Sequence, residues 1–440
     1  MKYWCEYAWL GGASVARSVE LEVVDSRFVS LRTDVASESS GSTVLPGVTL
    51  PGLANAHSHA FHRALRGRAR GDTFWDWRDG MYALAERLDP DSYGTLATAV
   101  FGEMALAGIT AVGEFHYLHH GPRGVPYDDP NEMTRAVAVA ATTAGIRLTV
   151  LDTCYLAGGI GEPLSPVQQR FSDGTAEGWV ERVDLIASSP SVKLGAAVHS
   201  VRAVDPDSIA TVAKWADHQI APLHAHVSEQ PAENAACIDR YGKTPTEVLG
   251  QAGALSERFT AVHATHLSER DIELLGGAAA TLCMCPTTER DLADGVGEAH
   301  RLVTAGAKLS LGSDSHAVID LFEEARAVEL DERLVTGTRG GHSAEALMNA
   351  ATSGGQRALG WHEAGRIAVG QLADFVTVGL DSVRLAGSTQ DSLLSSIVMS
   401  ANAADVRTVV VGGDLIVDAG AHKSLDVERE LAMSIAAVWD

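Results

Sequence analysis

A chain of 440 residues, 46% hydrophobic and 21% charged, has the composition of a globular protein and room for one large domain and a smaller one. Its formal charge of −23 argues against a nucleic-acid partner, because phosphates need a basic footprint. It does not argue against a small anionic ligand, since a local pair of arginines overrides the mean field.

The opening "MKYWCEYAWLGG" has no basic segment leading into a long apolar run, so no secretory signal is expected. No stretch reaches the roughly 20 apolar residues that span a bilayer, and no membrane association is expected. The cysteines, Cys5, Cys154, Cys237, Cys283 and Cys285, are odd in number and scattered, which fits free thiols in a reducing cytoplasm. "SVELEVVDSRFVSLRT" and "TVLPGVTLPG", separated by "ASESSGS", alternate apolar and polar residues as strands do.

From residue 53 the pattern changes. The segments "GLANAHSH", "ITAVGEFHY", "IRLTVLDTCY", "VKLGAAVHS", "IAPLHAHVSE", "FTAVHATHL", "ATLCMCPT" and "AKLSLGSDSH" read as strands, with Ala/Leu/Glu-rich helical runs between them. Eight such alternations predict an α/β chain folded as a (β/α)8 barrel over 53–362. "GRIAVGQLADFVTVGL" and "VRTVVVGGDLIVDAG" return to strand–turn–strand patterns, so 1–52 and 363–440 are expected to form a small composite β-sandwich. Cys283 and Cys285 in "CMC" are read as buried core, because no second cysteine pair completes a metal site.

His57, His59, His116, His199, His226, His263 and Asp314 fall at the C-terminal ends of these strands, the face on which such barrels build their active sites. His57 and His59 are two apart, so their side chains leave a strand on the same side, with Cα atoms about 6–7 Å apart. With His226 and Asp314 they make a three-imidazole, one-carboxylate set that suits one divalent ion, zinc first, with iron or manganese as alternatives. Glu229, three residues after His226, stands where the strand gives way to a loop and has a carboxyl available for proton transfer. Arg78 in "FWDWRDG" and Arg202 in "HSVRAV" have the planar fork that grips carboxylates, although Arg78 can instead stack on Trp75 or Trp77 and Arg202 can form a loop ion pair.

These motifs resemble the amidohydrolase superfamily. Within it, "NAHSHAFHRALRG", "FWDWRDGMY", "EFHYLHH", "HSVRAV", "HVSEQ", "VHATHL" and "GSDSH" are similar to the branch that deiminates N-formimino-L-glutamate in histidine breakdown. The resemblance implies hydrolysis of a linear amidine to N-formyl-L-glutamate and ammonia. A ring aminohydrolase of guanine, cytosine or an adenosine derivative is the alternative. It also implies that Asp314 accepts a proton from the attacking water and that His263 polarises that water or the developing charge. By the same resemblance, Arg78, Arg202, Tyr117, His199 and the residue at His62 hold the glutamate part of a dicarboxylate substrate. Binuclear relatives use a carboxylated lysine at the top of the fourth strand. Lys193 lies six residues before His199, about 20 Å down the strand at ~3.3 Å per residue, so a single metal is expected. His224 and His266 are read as packing or supporting residues. Pairing of two copies through exposed barrel helices stays open.

Overall fold

The computed structural model describes residues 1–68 and 73–440. Four strands open the chain: β1 (Lys2–Ala8), β2 (Ala16–Val24), β3 (Arg27–Arg32) and β4 (Thr43–Pro51). Eight follow: β5 (Leu53–Ser58), β6 (Ile109–His116), β7 (Arg147–Cys154), β8 (Val192–Val198), β9 (Leu223–Val227), β10 (Phe259–His263), β11 (Thr281–Met284) and β12 (Lys308–Leu311). Four more come near the end: β13 (Phe375–Val378), β14 (Val406–Val411), β15 (Asp414–Asp418) and β16 (Ala421–His422).

Strands β5 to β12 pair in sequence order, and every pairing is parallel. They coincide with the eight expected strands. Helices cover the outside and side chains fill the inside, so β6 and β7 are buried at every position. This is the predicted (β/α)8 barrel.

The barrel closes at its chemically richest point. Beyond the end of β12, the Asp314 N–H donates to His57 O at 3.0 Å, and the His59 N–H donates to Asp314 O at 3.2 Å. Asn55 ties the same seam: its Oδ1 accepts from the Ser313 N–H at 3.0 Å, and its Nδ2 donates to Ser313 Oγ at 2.7 Å. The approach needs glycine at 312. A Cβ there would lie 2.7 Å from His57 Cβ and 2.9 Å from Cys285 Sγ. Gly312→Ala is therefore expected to cost about 1–3 kcal/mol through overpacking, read as a lower urea midpoint, with a further loss of activity because His57 must shift.

The second sheet runs β16-β15-β14-β13-β4-β1-β2-β3 and draws on both chain ends. β4 lies between them, parallel to β1 and antiparallel to β13. Period-two burial explains why "FVTV" of β13 is apolar on both faces. Phe375 packs on Tyr3 and Phe28 in the sheet's own core, while Val376 and Val378 join the core shared with the barrel. The two chain ends thus form the β-sandwich beside the barrel.

A buried ion pair couples the two sheets. Arg147, the first residue of β7, donates from Nε and NH2 to the Asp374 carboxylate at 2.7 and 3.0 Å, and the Gly412 N–H donates to the same carboxylate at 2.6 Å. Asp374→Asn leaves the buried guanidinium without its counter-charge and is expected to destabilise the fold by about 3–5 kcal/mol, measurable by denaturant unfolding.

The reading of 363–440 as strands omits two helices, Leu393–Ser400 and Val427–Trp439. The second leaves the sandwich and packs on the barrel helix Pro90–Leu106, with Trp439 Nε1 donating to Ala64 O at 2.9 Å. Among the described residues all five cysteines are buried and unpaired in disulfides, and no helix is long and apolar enough to cross a membrane.

Candidate active site

The seam that closes the barrel also gathers the expected ligand set. His57 Nε2 lies 3.2 Å from His226 Nε2 and 3.3 Å from Asp314 Oδ1, and His59 Nε2 lies 3.4 Å from the same oxygen. One donor atom from each of these four residues lies within 4.8 Å of all the others. Nδ1 of His59 bonds to Phe115 O at 3.0 Å and Nδ1 of His226 to His199 O at 2.8 Å. Each of those nitrogens therefore carries the proton, and each Nε2 lone pair points inward, the outer-sphere arrangement typical of metal-binding histidines. Burial holds all three imidazoles well below their usual pKa, so they are neutral. Burial pushes the Asp314 carboxyl up to about 7, with Glu229 and Glu289 adding to it and His263 pulling it down. Three imidazoles, two of them with the Nε2 lone pair turned inward by an Nδ1 bond, and a carboxylate fit a divalent ion with nitrogen and oxygen preference.

The backbone is bent to make this cluster. Ser228, His263, Ala264, Asp314 and His316 have φ between 43° and 64°. Each conformation costs a side-chain-bearing residue about 1–3 kcal/mol, a strain that concentrates at functional sites. All five follow the C-terminal ends of β9, β10 and β12 or end them.

His263 stands beside the cluster. Its Nδ1 lies 3.3 Å from Glu289 Oε1, and its Nε2 is 3.7 Å from both Glu229 Oε1 and Asp314 Oδ2. Burial opposes its charge, but Glu289, Glu229 and Asp314 outweigh that and raise its pKa well above the usual value. Glu229 also accepts from Arg202 NH2 at 3.0 Å. Burial would raise the Glu229 pKa; His263 and Arg202 reverse that and hold it below the usual range.

A cavity of about 670 Å³, open mouth included, lies against these groups. His62, Arg78, Tyr117, His199 and Arg202 all line it, together with His59, His226, Glu229 and Asp314. His62 Nε2 pairs with the Tyr117 hydroxyl at 2.8 Å, and burial lowers its pKa to about 3, so it meets a ligand as a neutral imidazole. Arg78 stacks on Trp75, with its guanidinium carbon 4.3 Å from the ring centroid. Arg78 therefore stacks on an indole and faces the cavity at the same time. The same is true of Arg202, which pairs with Glu229 and lines the cavity.

His116 and the other residues weighed from the sequence lie outside the cluster. His116 packs on Tyr93, away from the cavity lining. His224 bonds to Ala358 O at 2.9 Å and His266 to Asp294 O at 2.8 Å, both supporting roles. Lys193 Nζ donates to Gly360 O at 2.7 Å and sits over Trp361, at the end of β8 away from His199. Sequence reasoning misses Glu289, which orients His263 and accepts from the Cys285 N–H at 2.9 Å. It also misses Glu114, which accepts from Ser58 Oγ at 2.6 Å and the Ala60 N–H at 2.7 Å and so braces the loop carrying His59. The aromatic wall of Phe74, Tyr155 and Phe171 beside Trp77 is a third omission. "EFHY" and "CPTTERD" place the two acids within a few residues of strand ends, the one signal that could have found them.

The Amidohydrolase family pattern matches residues 48–416. The chain is 36% identical over 426 residues to formimidoylglutamate deiminase of Pseudomonas aeruginosa, covering 92% of each. It is 30% identical over 390 residues to 5-methylthioadenosine/S-adenosylhomocysteine deaminase of Natronomonas pharaonis, covering 87% of this chain and 85% of that protein. The crystal structure of an amidohydrolase from Brucella melitensis superposes with a TM-score of 0.90 at 33% identity over the whole of both chains. The chain belongs to the amidohydrolase family, a family of metal-dependent hydrolases. Deimination or deamination by hydrolysis of a C–N bond is its activity class.

Proposed function

We propose that this enzyme hydrolyses N-formimino-L-glutamate to N-formyl-L-glutamate and ammonia, using one zinc ion held by His57, His59, His226 and Asp314. The observation that carries the reading is the polarity of the cavity. Arg78 and Arg202 offer guanidinium groups to a dianion, and the histidine–carboxylate cluster with Glu229 and His263 offers hydrolytic chemistry to an amidine. The Pseudomonas aeruginosa deiminase supports it as the relative of the same printed activity.

A divalent ion bound there would act as a Lewis acid and bring the pKa of water toward about 7. The chain's own groups do the rest. Asp314 Oδ2 accepts the proton of the attacking water as oxygen adds to the formimino carbon. His263 Nε2 faces that oxygen and stabilises its charge. Glu229, between His263 and Arg202, carries both protons of the water in turn to the leaving nitrogen, the first as the oxygen adds and the second as the tetrahedral hydroxyl becomes the formyl carbonyl, so the C–N bond breaks to release ammonia. Tyr117, His199 and His62 complete the grip on the glutamate part.

An arginine–carboxylate contact contributes about 1.5–3 kcal/mol. Arg78→Met is therefore expected to raise KM for the dicarboxylate roughly ten- to a hundred-fold, with a smaller change in kcat. The aromatic wall favours a second reading, a ring aminohydrolase, and the Natronomonas pharaonis relative supports that class. Ammonia release measured on formiminoglutamate, guanine, cytosine and adenosine derivatives separates the two. Release from formiminoglutamate alone supports the proposal, and release from a ring substrate alone overturns it.

A further inference from the structure

Away from the cavity, a second group of ligand-type side chains meets on the outer helical layer. His300 lies in the first turn of helix Ala299–Thr304, Glu332 near the end of helix Leu321–Thr336, and His342 just before helix Ala344–Asn349. One donor atom from each lies within 4.8 Å of the other two. His342 Nε2 is 3.1 Å from Glu332 Oε2, and the two imidazole rings are 5.7 Å apart, edge to face.

Two features set this group apart from an ordinary surface cluster. First, its loop is held in place by a different acid. Glu329 accepts from the N–H groups of Gly340 and His342 at 2.8 and 2.7 Å, and Arg333 neutralises it at 2.7 Å. Second, Glu332 accepts from the His300 N–H at 3.3 Å but has no neutralising cation: among the described residues no Arg or Lys is within ion-pair distance of it, and imidazole is its charge neighbour. His342 is buried while His300 is exposed, so the group has a fixed inner ligand and an open outer side for water.

We propose that His300, Glu332 and His342 form a second divalent-metal site, for borderline ions of the zinc type. Two imidazoles and one carboxylate are a three-ligand set that leaves further positions to solvent. The bound ion would clip the 337–342 loop to the two helices and raise the unfolding midpoint by mass action.

The test is a calorimetric titration of ZnCl2 into holoenzyme first passed through a weak chelator that strips surface metal. Wild type is expected to bind one further equivalent, with a rise in Tm. His300→Ala, which alters an exposed side chain, and Glu332→Gln are expected to bind none and to show no rise, while releasing ammonia at the wild-type rate. No further equivalent in wild type overturns the proposal. So does His300→Ala binding zinc as wild type does.

Discussion

Asp314→Asn is expected to lower kcat/KM by about 10²–10⁴-fold while leaving the fold intact. Asparagine keeps the volume of aspartate and tolerates the left-handed backbone, here at φ 43°, better than most residues. The seam is made by the main chain of residue 314, through bonds to His57 and His59, and survives the change. What is lost is chemical. The amide neither accepts the proton of the attacking water nor supplies the negative ligand beside three neutral imidazoles. The expected signature is a variant whose urea midpoint matches wild type when both are metal-free, with reduced metal content and almost no ammonia release. Normal turnover would remove Asp314 from the reaction.

Glu229→Gln is expected to lower kcat by about 10²–10⁴-fold, with KM unchanged or lower. The carboxyl touches both His263 and Arg202, so on the proposed mechanism the substitution removes the group that delivers a proton to nitrogen and also frees a guanidinium. Glu233 Oε2, 4.0 Å from Arg202 Nε, keeps that arginine from being an unpaired buried charge, so the fold should tolerate the change. A freed Arg202 binds a substrate carboxylate at least as well as before. The loss therefore falls in kcat and not in KM, and steady-state kinetics with an ammonia readout distinguish the two. Wild-type kcat would exclude Glu229 as the proton carrier.

The barrel is legible in the sequence because parallel strands are short apolar runs and their C-terminal residues are polar in a way no core strand needs. His57, His59, His226 and Asp314 stand out for that reason, although they come from three segments spread over more than half of the chain. The supporting layer is not legible. Nothing local marks Asn55 and Gly312 as the closure of a barrel, or Glu289 as the orienter of His263, because each works only against a partner brought in by tertiary packing. Arg202 shows the same limit: its fork reads as a carboxylate binder, but the first carboxylate it meets is Glu229 of its own chain. Helix Val427–Trp439 is hidden because the barrel helix it packs on, Pro90–Leu106, lies far away in the sequence.

The account rests on three chain segments meeting around one ion at the mouth of the barrel. Anomalous diffraction at the zinc edge from catalytically active crystals tests this directly. It should show an ion about 2.0–2.2 Å from His57, His59, His226 and Asp314. Active crystals with no ion within bonding distance of those four side chains would contradict the account.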